Sequence, residues 1–112
     1  MFNIWMLLAI IWMHFVADFI FQTDWVAKGK STSNKILIWH VLLYGFPFLI
    51  FGWKFAVVNA ILHFITDWAT SRATSYLWKK NERHWFFVVI GLDQAIHMTC
   101  LLATYSLIVN WS

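Results

Sequence analysis

Four apolar stretches, at about residues 4 to 23, 36 to 53, 55 to 78 and 86 to 109, take up most of this 112-residue chain. Each approaches the roughly 20 apolar residues an α-helix needs to cross a bilayer. The fold class expected is therefore all-α: a four-helix transmembrane bundle, with residues 1 to 112 forming a single integral membrane domain. Composition agrees, because 62% hydrophobic residues, 12% charged residues and a mean hydropathy of +0.67 lie outside the range of soluble domains.

The first stretch differs from a cleaved signal peptide. No basic residue precedes it, no small-residue cleavage site follows it, and it carries His14, Asp18 and Gln22, so a retained helix is expected. Positive charges set the orientation. Lys28, Lys30 and Lys35 fall in the first connection, Lys79, Lys80 and Arg83 in the third, and Lys54 stands alone in the second. By the positive-inside rule both basic loops are cytoplasmic and both termini are outside, in the periplasm, giving a multi-pass protein of a bacterial inner membrane.

Six of the nine tryptophans fit that layout. Trp25, Trp78 and Trp85 mark the cytoplasmic boundary and Trp5, Trp53 and Trp111 the outer one, whereas Trp12 and Trp68 lie deeper and are expected to pack beside polar faces. Gly45 and Pro47 should bend the second helix. Lys28 to Asn34 reads as the linker. So few charges, flanking spans, point away from nucleic acid and toward the lipid bilayer as partner.

Inside the apolar stretches a histidine and an aspartate recur four residues apart: His14 with Asp18, His63 with Asp67 and, reversed, Asp93 with His97. The spacing puts both side chains on one helix face, and ionisable groups at membrane depth are costly enough to imply function. Topology accounts for the reversal. Helices one and three run inward and helix four outward, so in space every aspartate lies nearer the cytoplasm, with its histidine about one turn, roughly 6 Å, deeper. All three aspartates lie roughly 13 to 18 Å in from the cytoplasmic charges. A histidine layer above an aspartate layer is expected, extended by Gln22, Asn59, Ser71 and Gln94, with His40 closing the cytoplasmic side.

Imidazoles and carboxylates converging from facing helices suit a divalent transition metal such as zinc, manganese or iron, one or two ions per chain. The metal candidates are His14, Asp18, His40, His63, Asp67, Asp93 and His97. In one arrangement three histidines hold a catalytic ion and the aspartates orient imidazole N–H groups. In another the aspartates are themselves ligands and two metals form a hydrolytic clamp. Asp18, Asp67 and Asp93 are the candidate catalytic groups, and Arg72, Gln22, Gln94 and Asn59 candidates for holding a substrate or cofactor. Three buried carboxylates need metal, protons or a cation such as Arg72.

Plainer roles suit other residues. Thr66, Thr70, Thr99 and Thr104 are expected to bond to their own helix backbone. Cys100 reads as a small core residue, and His84, Lys28 and Lys30 as solvated side chains.

The motif His14-Phe-Val-Ala-Asp18-Phe-Ile-Phe-Gln22, then Ala27-Lys28 and Lys30, then His40, Asn59, His63, Asp67 and Gly91-Leu-Asp93-Gln94-Ala-Ile-His97 resembles the family catalogued as domain of unknown function 3307. Those are small membrane proteins of bacteria and their phages, with no assigned activity. More loosely, the set is similar to bacterial membrane-bound metal-dependent hydrolases. The leading expectation is a metal-dependent hydrolase-like enzyme acting on a lipid or small anionic substrate at the cytoplasmic leaflet. The alternatives are a proton or metal-ion transporter or channel component acting as a homo-oligomer, and a structural or regulatory membrane partner protein.

Overall fold

The computed structural model describes residues 3–20 and 22–109, and Trp111 lies outside them. The described residues form helices and turns, with no strand among them. Helix α1 is Ile4–Phe15, capped by the Asn3 side chain on Trp5 N–H, and it continues as a π-helical turn over Val16–Ile20. A short helix α2, Asp24–Gly29, begins at the Thr23 side chain, which accepts from Val26 N–H. Helix α3 is Asn34–Gly45, capped by Ser33 on Ile36 N–H. It tightens into a 3₁₀ helix over Phe46–Phe51, with Pro47 in the first turn. Helices α4, Trp53–Lys79, and α5, Arg83–Thr104, form the long antiparallel hairpin, and α5 ends in a π-helical turn over Tyr105–Val109.

Two expectations change here. The first helix ends sooner than residue 23, because Thr23 is extended and starts α2; Gln22 therefore lies in the connection and not on the face of Asp18. The linker of Lys28 to Asn34 shrinks correspondingly, since α2 runs to Gly29. At Pro47, which supplies no backbone donor, α3 gives way to a tighter 3₁₀ segment.

The turns follow backbone chemistry. Gly52 joins the 3₁₀ segment to α4 at φ 113, a conformation that side chains disfavour. Asn81 takes the left-handed conformation, φ 59, between α4 and α5. Around it Glu82 N–H reaches back to Leu77 C=O and Asn81 N–H to Trp78 C=O, satisfying carbonyls the helix end leaves open.

Helix α4 packs against both α3 and α5. Its buried residues are Phe55, Ala56, Asn59, His63, Asp67 and Ser71. A step of four residues advances about 40° around a helix, so this stripe winds across the surface and touches several neighbours. At one end of the bundle Ile10, Tyr44, Phe48, Phe55, Leu101 and Tyr105 form an apolar core. Beyond it, toward the Lys28 and Lys79 connections, the buried residues of α4 and α5 are polar, while Val26 and Leu37 add apolar packing from α2 and α3.

Large apolar side chains cover the outside: Trp5, Phe46, Ile50, Ile65, Phe87 and Leu107 are all exposed. Trp12 and Trp68, at 65% and 47% exposure, join that outer face, away from the buried polar stripe. The reason is register, since the buried face of α1 runs through Ile10 and His14 and that of α4 through His63 and Asp67. Two helical stretches, Asn34–Phe51 and Arg83–Ile108, are long and apolar enough to cross a membrane, while Ile4–Ile20 is apolar but shorter. Helix α4 is long enough but diluted by its polar stripe and by Lys54, Arg72 and Lys79.

Candidate metal centre

Every long helix delivers polar side chains to one buried point. Helix α3 supplies His40 and Tyr44, α4 His63 and Asp67, and α5 Asp93 and His97. From α1 come His14, in its last turn, and Asp18, inside the π-helical turn. A π turn widens the helix by one residue and re-aims the side chains it carries, which is why such turns gather at functional sites. Here it lets Asp18 reach α3 and α4 while His14 points to α3 and α5.

Four ligand atoms form a closed group: Asp18 Oδ1, His40 Nε2, His63 Nε2 and Asp67 Oδ2. His40 Nε2 lies 3.1 Å from Asp18 Oδ1 and 3.2 Å from Asp67 Oδ2. His63 Nε2 lies 3.4 Å from Asp18 Oδ1 and 3.2 Å from Asp67 Oδ2, and the two nitrogens are 3.1 Å apart. A tetrahedral ion with bonds of about 2.0 Å has ligand-to-ligand edges of about 3.3 Å, so these separations fit one. Hydrogen bonds fit less well. Each Nε2 faces two carboxylate oxygens and another nitrogen, yet an imidazole N–H donates along one direction.

A second group, Asp67, Asp93 and His97, has three members. His97 Nε2 is 3.5 Å from Asp67 Oδ1, and its Nδ1 is 3.4 Å from Asp93 Oδ2 and 3.6 Å from Asp18 Oδ2. Asp67 thus gives one oxygen to each group. Both ring nitrogens of His97 and Nδ1 of His63 are buried without a hydrogen-bond partner among the described residues, an arrangement that costs free energy unless something else bonds them. The His63 ring stacks against both His97 and Tyr44, with centroids 3.9 Å apart in each case. The three carboxylates face a single ammonium, that of Lys30, so the cluster favours added cations or protons.

A third group, His14 with Asp18 and His97, meets the same distance limits, but both ring nitrogens of His14 are engaged. Gln94 Nε2 donates to Asp18 Oδ2 at 3.3 Å and to Asp93 Oδ2 at 3.0 Å, which leaves Gln94 Oε1 facing His14 Nε2 at 2.7 Å. His14 therefore donates from Nε2 and accepts at Nδ1 from the Tyr44 hydroxyl, 2.9 Å away. The chain from Tyr44 through His14 and Gln94 to both carboxylates holds the ligand carriers in place.

The expected two layers merge. Side chains reach across the one-turn offset, so histidine nitrogens and aspartate oxygens interleave, and His40 lies within the closed group instead of capping it. Arg72 is elsewhere: it donates to Asn34 Oδ1 and Trp68 C=O and stacks on the Trp68 ring. Asn59 Nδ2 bonds the Phe55 carbonyl and Thr104 Oγ1, tying α4 to α5 away from the cluster. Gln22 Oε1 accepts from Lys30 Nζ at 2.8 Å.

Lys30 is the largest departure from expectation. It is not simply solvated, since its ammonium sits 3.2 Å from Asp67 Oδ2. The short helix α2 causes this by folding the first connection over the cluster, which no hydropathy pattern announces. Thr70 also does more than bond its backbone: its hydroxyl is 2.6 Å from Asp93 Oδ1 as well as 2.9 Å from Thr66 C=O. Tyr44 had no signal in the sequence beyond lying four residues after His40. Thr66 and Thr99 bond their own helix backbone as expected.

A cavity of about 520 Å³ opens beside the cluster, with Asp18, Asp67, Asp93 and Gln94 in its wall and Lys28, Lys30 and Lys79 around it. That volume lies within the range of small-molecule sites.

The family model described as protein of unknown function (DUF3307) matches residues 6–112. No curated protein and no solved structure matches the chain.

Proposed function

The chain belongs to the DUF3307 family, as its His14 to His97 motif suggested, and from the geometry of its core we propose a membrane-embedded, divalent-metal-dependent hydrolase. One observation carries this: a closed four-atom group and an open three-atom group share Asp67 at the wall of a cavity. Metal sites with four protein ligands hold an ion for structure, and sites with three leave a position for water or substrate. Two ions about 3.5–4 Å apart form the clamp used in hydrolytic displacement. The mixed nitrogen and oxygen donors favour zinc, with manganese or iron next.

Asp18, His40, His63 and Asp67 would hold the first ion, and Asp67, Asp93 and His97 the second. When bound, the metal supplies a Lewis acid and lowers the pKa of a coordinated water. Asp93 lines the cavity and is oriented by Thr70 and Gln94, so it is placed to accept the proton of an attacking water as that water adds across the scissile bond. The far end of the bundle is packed with Ile10, Phe48, Phe55 and Leu101, which supports a pocket with one mouth over a conduit for ions.

The membrane arrangement is part of the proposal. All four long helical segments span the inner membrane, with the Lys28 and Lys79 connections cytoplasmic. Exposed apolar side chains on every long helix and a longest dimension of 45 Å, against a bilayer of about 40–45 Å with its headgroups, support it.

The test is metal content by mass spectrometry on detergent-purified protein, beside turnover of p-nitrophenyl phosphate and carboxylate esters. Expected are zinc or manganese in the wild type, loss of turnover on chelation, and an Asp93→Asn variant that keeps an ion while kcat falls by about 10²–10⁴. A wild-type protein that takes up none of these metals, even after incubation with excess, ends the proposal.

A further inference from the structure

The cavity beside the cluster has a buried hydroxyl in its wall. Ser71 is 6% exposed, lines the cavity, and its Oγ has no hydrogen-bond partner among the described residues. It follows Asp67 by four residues on the buried stripe of α4, one turn toward the cavity mouth. A buried hydroxyl left unpaired is destabilising, and a ligand oxygen arriving in the cavity would relieve it.

The rest of the lining indicates what kind of oxygen. Lys28, Lys30 and Lys79 all contribute to the wall. Lys30 is held by Asp67 and Gln22, but among the described residues neither Lys28 nor Lys79 has a carboxylate partner, and both are exposed. Two free ammonium groups and an unpaired hydroxyl make an anion seat, and phosphate oxygens match both donor types. Part of the cavity wall is apolar: Phe19, Trp78, Phe86 and Ile90 line it, and Phe19 and Trp78 are also exposed on the apolar exterior. A water-soluble phosphate would gain nothing from that wall, whereas an acyl or prenyl chain would lie along it.

We infer that the cavity takes a phosphate-bearing amphiphile, its phosphate seated on Ser71 Oγ, Lys28 and Lys79 and its hydrocarbon chain leaving past Phe19 and Phe86. This rests on the hydrolase reading for its purpose, though the seat itself is independent of any metal. The phosphate lies between the basic mouth and the carboxylates of the cluster, next to the open group of Asp67, Asp93 and His97. A bound cation would offset the repulsion between those carboxylates and the phosphate, so zinc and the amphiphile should strengthen each other's binding.

Native mass spectrometry of the detergent-solubilised protein can count bound lipid during titration with dihexanoyl phosphatidic acid. The controls are dihexanoyl phosphatidylcholine and inorganic phosphate as competitor, each with and without zinc. Phosphatidic acid should bind at least tenfold more tightly than phosphatidylcholine or inorganic phosphate. Ser71→Ala and the double variant Lys28→Gln/Lys79→Gln should each weaken it at least tenfold. Lys28 and Lys79 are exposed, so that double variant should fold even if Ser71→Ala does not. Equal binding of the two lipids, or unchanged affinity in the lysine variant, overturns the inference. Inorganic phosphate binding as tightly as phosphatidic acid removes the amphiphile. Selective lipid binding without any zinc uptake would sink the hydrolase reading and leave this one standing; zinc uptake without lipid selectivity would do the reverse.

Discussion

Lys30 Nζ lies 3.2 Å from Asp67 Oδ2, the same oxygen that stands 3.2 Å from both His40 Nε2 and His63 Nε2. A side chain on the first connection therefore contacts one corner of the closed group. In the metal-free protein the ammonium offsets Asp67; when an ion enters, it becomes a neighbouring like charge.

Replacing it should separate those roles. Lys30→Met is expected to bind zinc more tightly, by about tenfold or 1.4 kcal/mol, because no ammonium competes for Asp67. The metal-free variant should be less stable, since a buried carboxylate has lost its partner. Competition against a chromogenic chelator measures the first, and unfolding in denaturant with chelator present the second. Weaker zinc binding in Lys30→Met would mean that Lys30 supports the ion and does not compete with it.

The chain from Tyr44 to Gln94 makes a different prediction. Tyr44→Phe removes only the hydroxyl that donates to His14 Nδ1 and keeps the ring stacked on His63. Groups that orient metal ligands from behind typically account for about 10–100-fold in affinity. Tyr44 reaches the ligands Asp18 and Asp93 only through His14 and Gln94, so Tyr44→Phe should lie at the low end of that range, about tenfold or less by isothermal titration with zinc. His40→Ala, which removes a ligand, should lose more. If the two variants weaken binding equally, His40 is not a ligand.

Hydropathy was enough to read the helical class, and the i, i+4 rule found the three His and Asp pairs, because both depend on local spacing. Residues whose roles depend on another element were less visible. His40 shows no pair of its own, and only tertiary packing brings it within 3.1 Å of Asp18. Lys30 is polar in a polar loop, and its burial against Asp67 needs the turn after α2. The π turn that aims Asp18 leaves no mark on an apolar stretch, since one extra residue per turn changes geometry but not composition. Arg72 illustrates the opposite case: its charge made it a candidate partner for the buried carboxylates, yet it stacks on Trp68 outside the cluster.

Asn81 tests the fold independently of the site. At φ 59 it occupies the left-handed region, which costs most L-residues roughly 1–2 kcal/mol. Asn81→Gly should be neutral or slightly stabilising, and Asn81→Val should lower stability by about that amount without changing zinc affinity. Thermal unfolding and zinc titration of the two variants together check this. Equal stability in both would mean that the α4–α5 turn relaxes to another conformation.

Zinc should also stabilise the whole bundle, because the closed group joins three segments that are far apart in sequence: the π turn, α3 and α4. A ligand that binds only the folded state adds about 2.7 kcal/mol at a concentration 100 times its dissociation constant. For a chain of this size that corresponds to a rise in Tm on the order of 10 °C. Scanning calorimetry in detergent should show the rise for the wild type and its reversal by chelator. His63→Ala should show little or none, since it removes one corner of the closed group and the ring on which Tyr44 and His97 stack. Asp93→Asn lies outside that group and should retain most of the shift. A wild-type Tm that zinc leaves unmoved, in protein that binds the ion, would place the ion away from the bundle core.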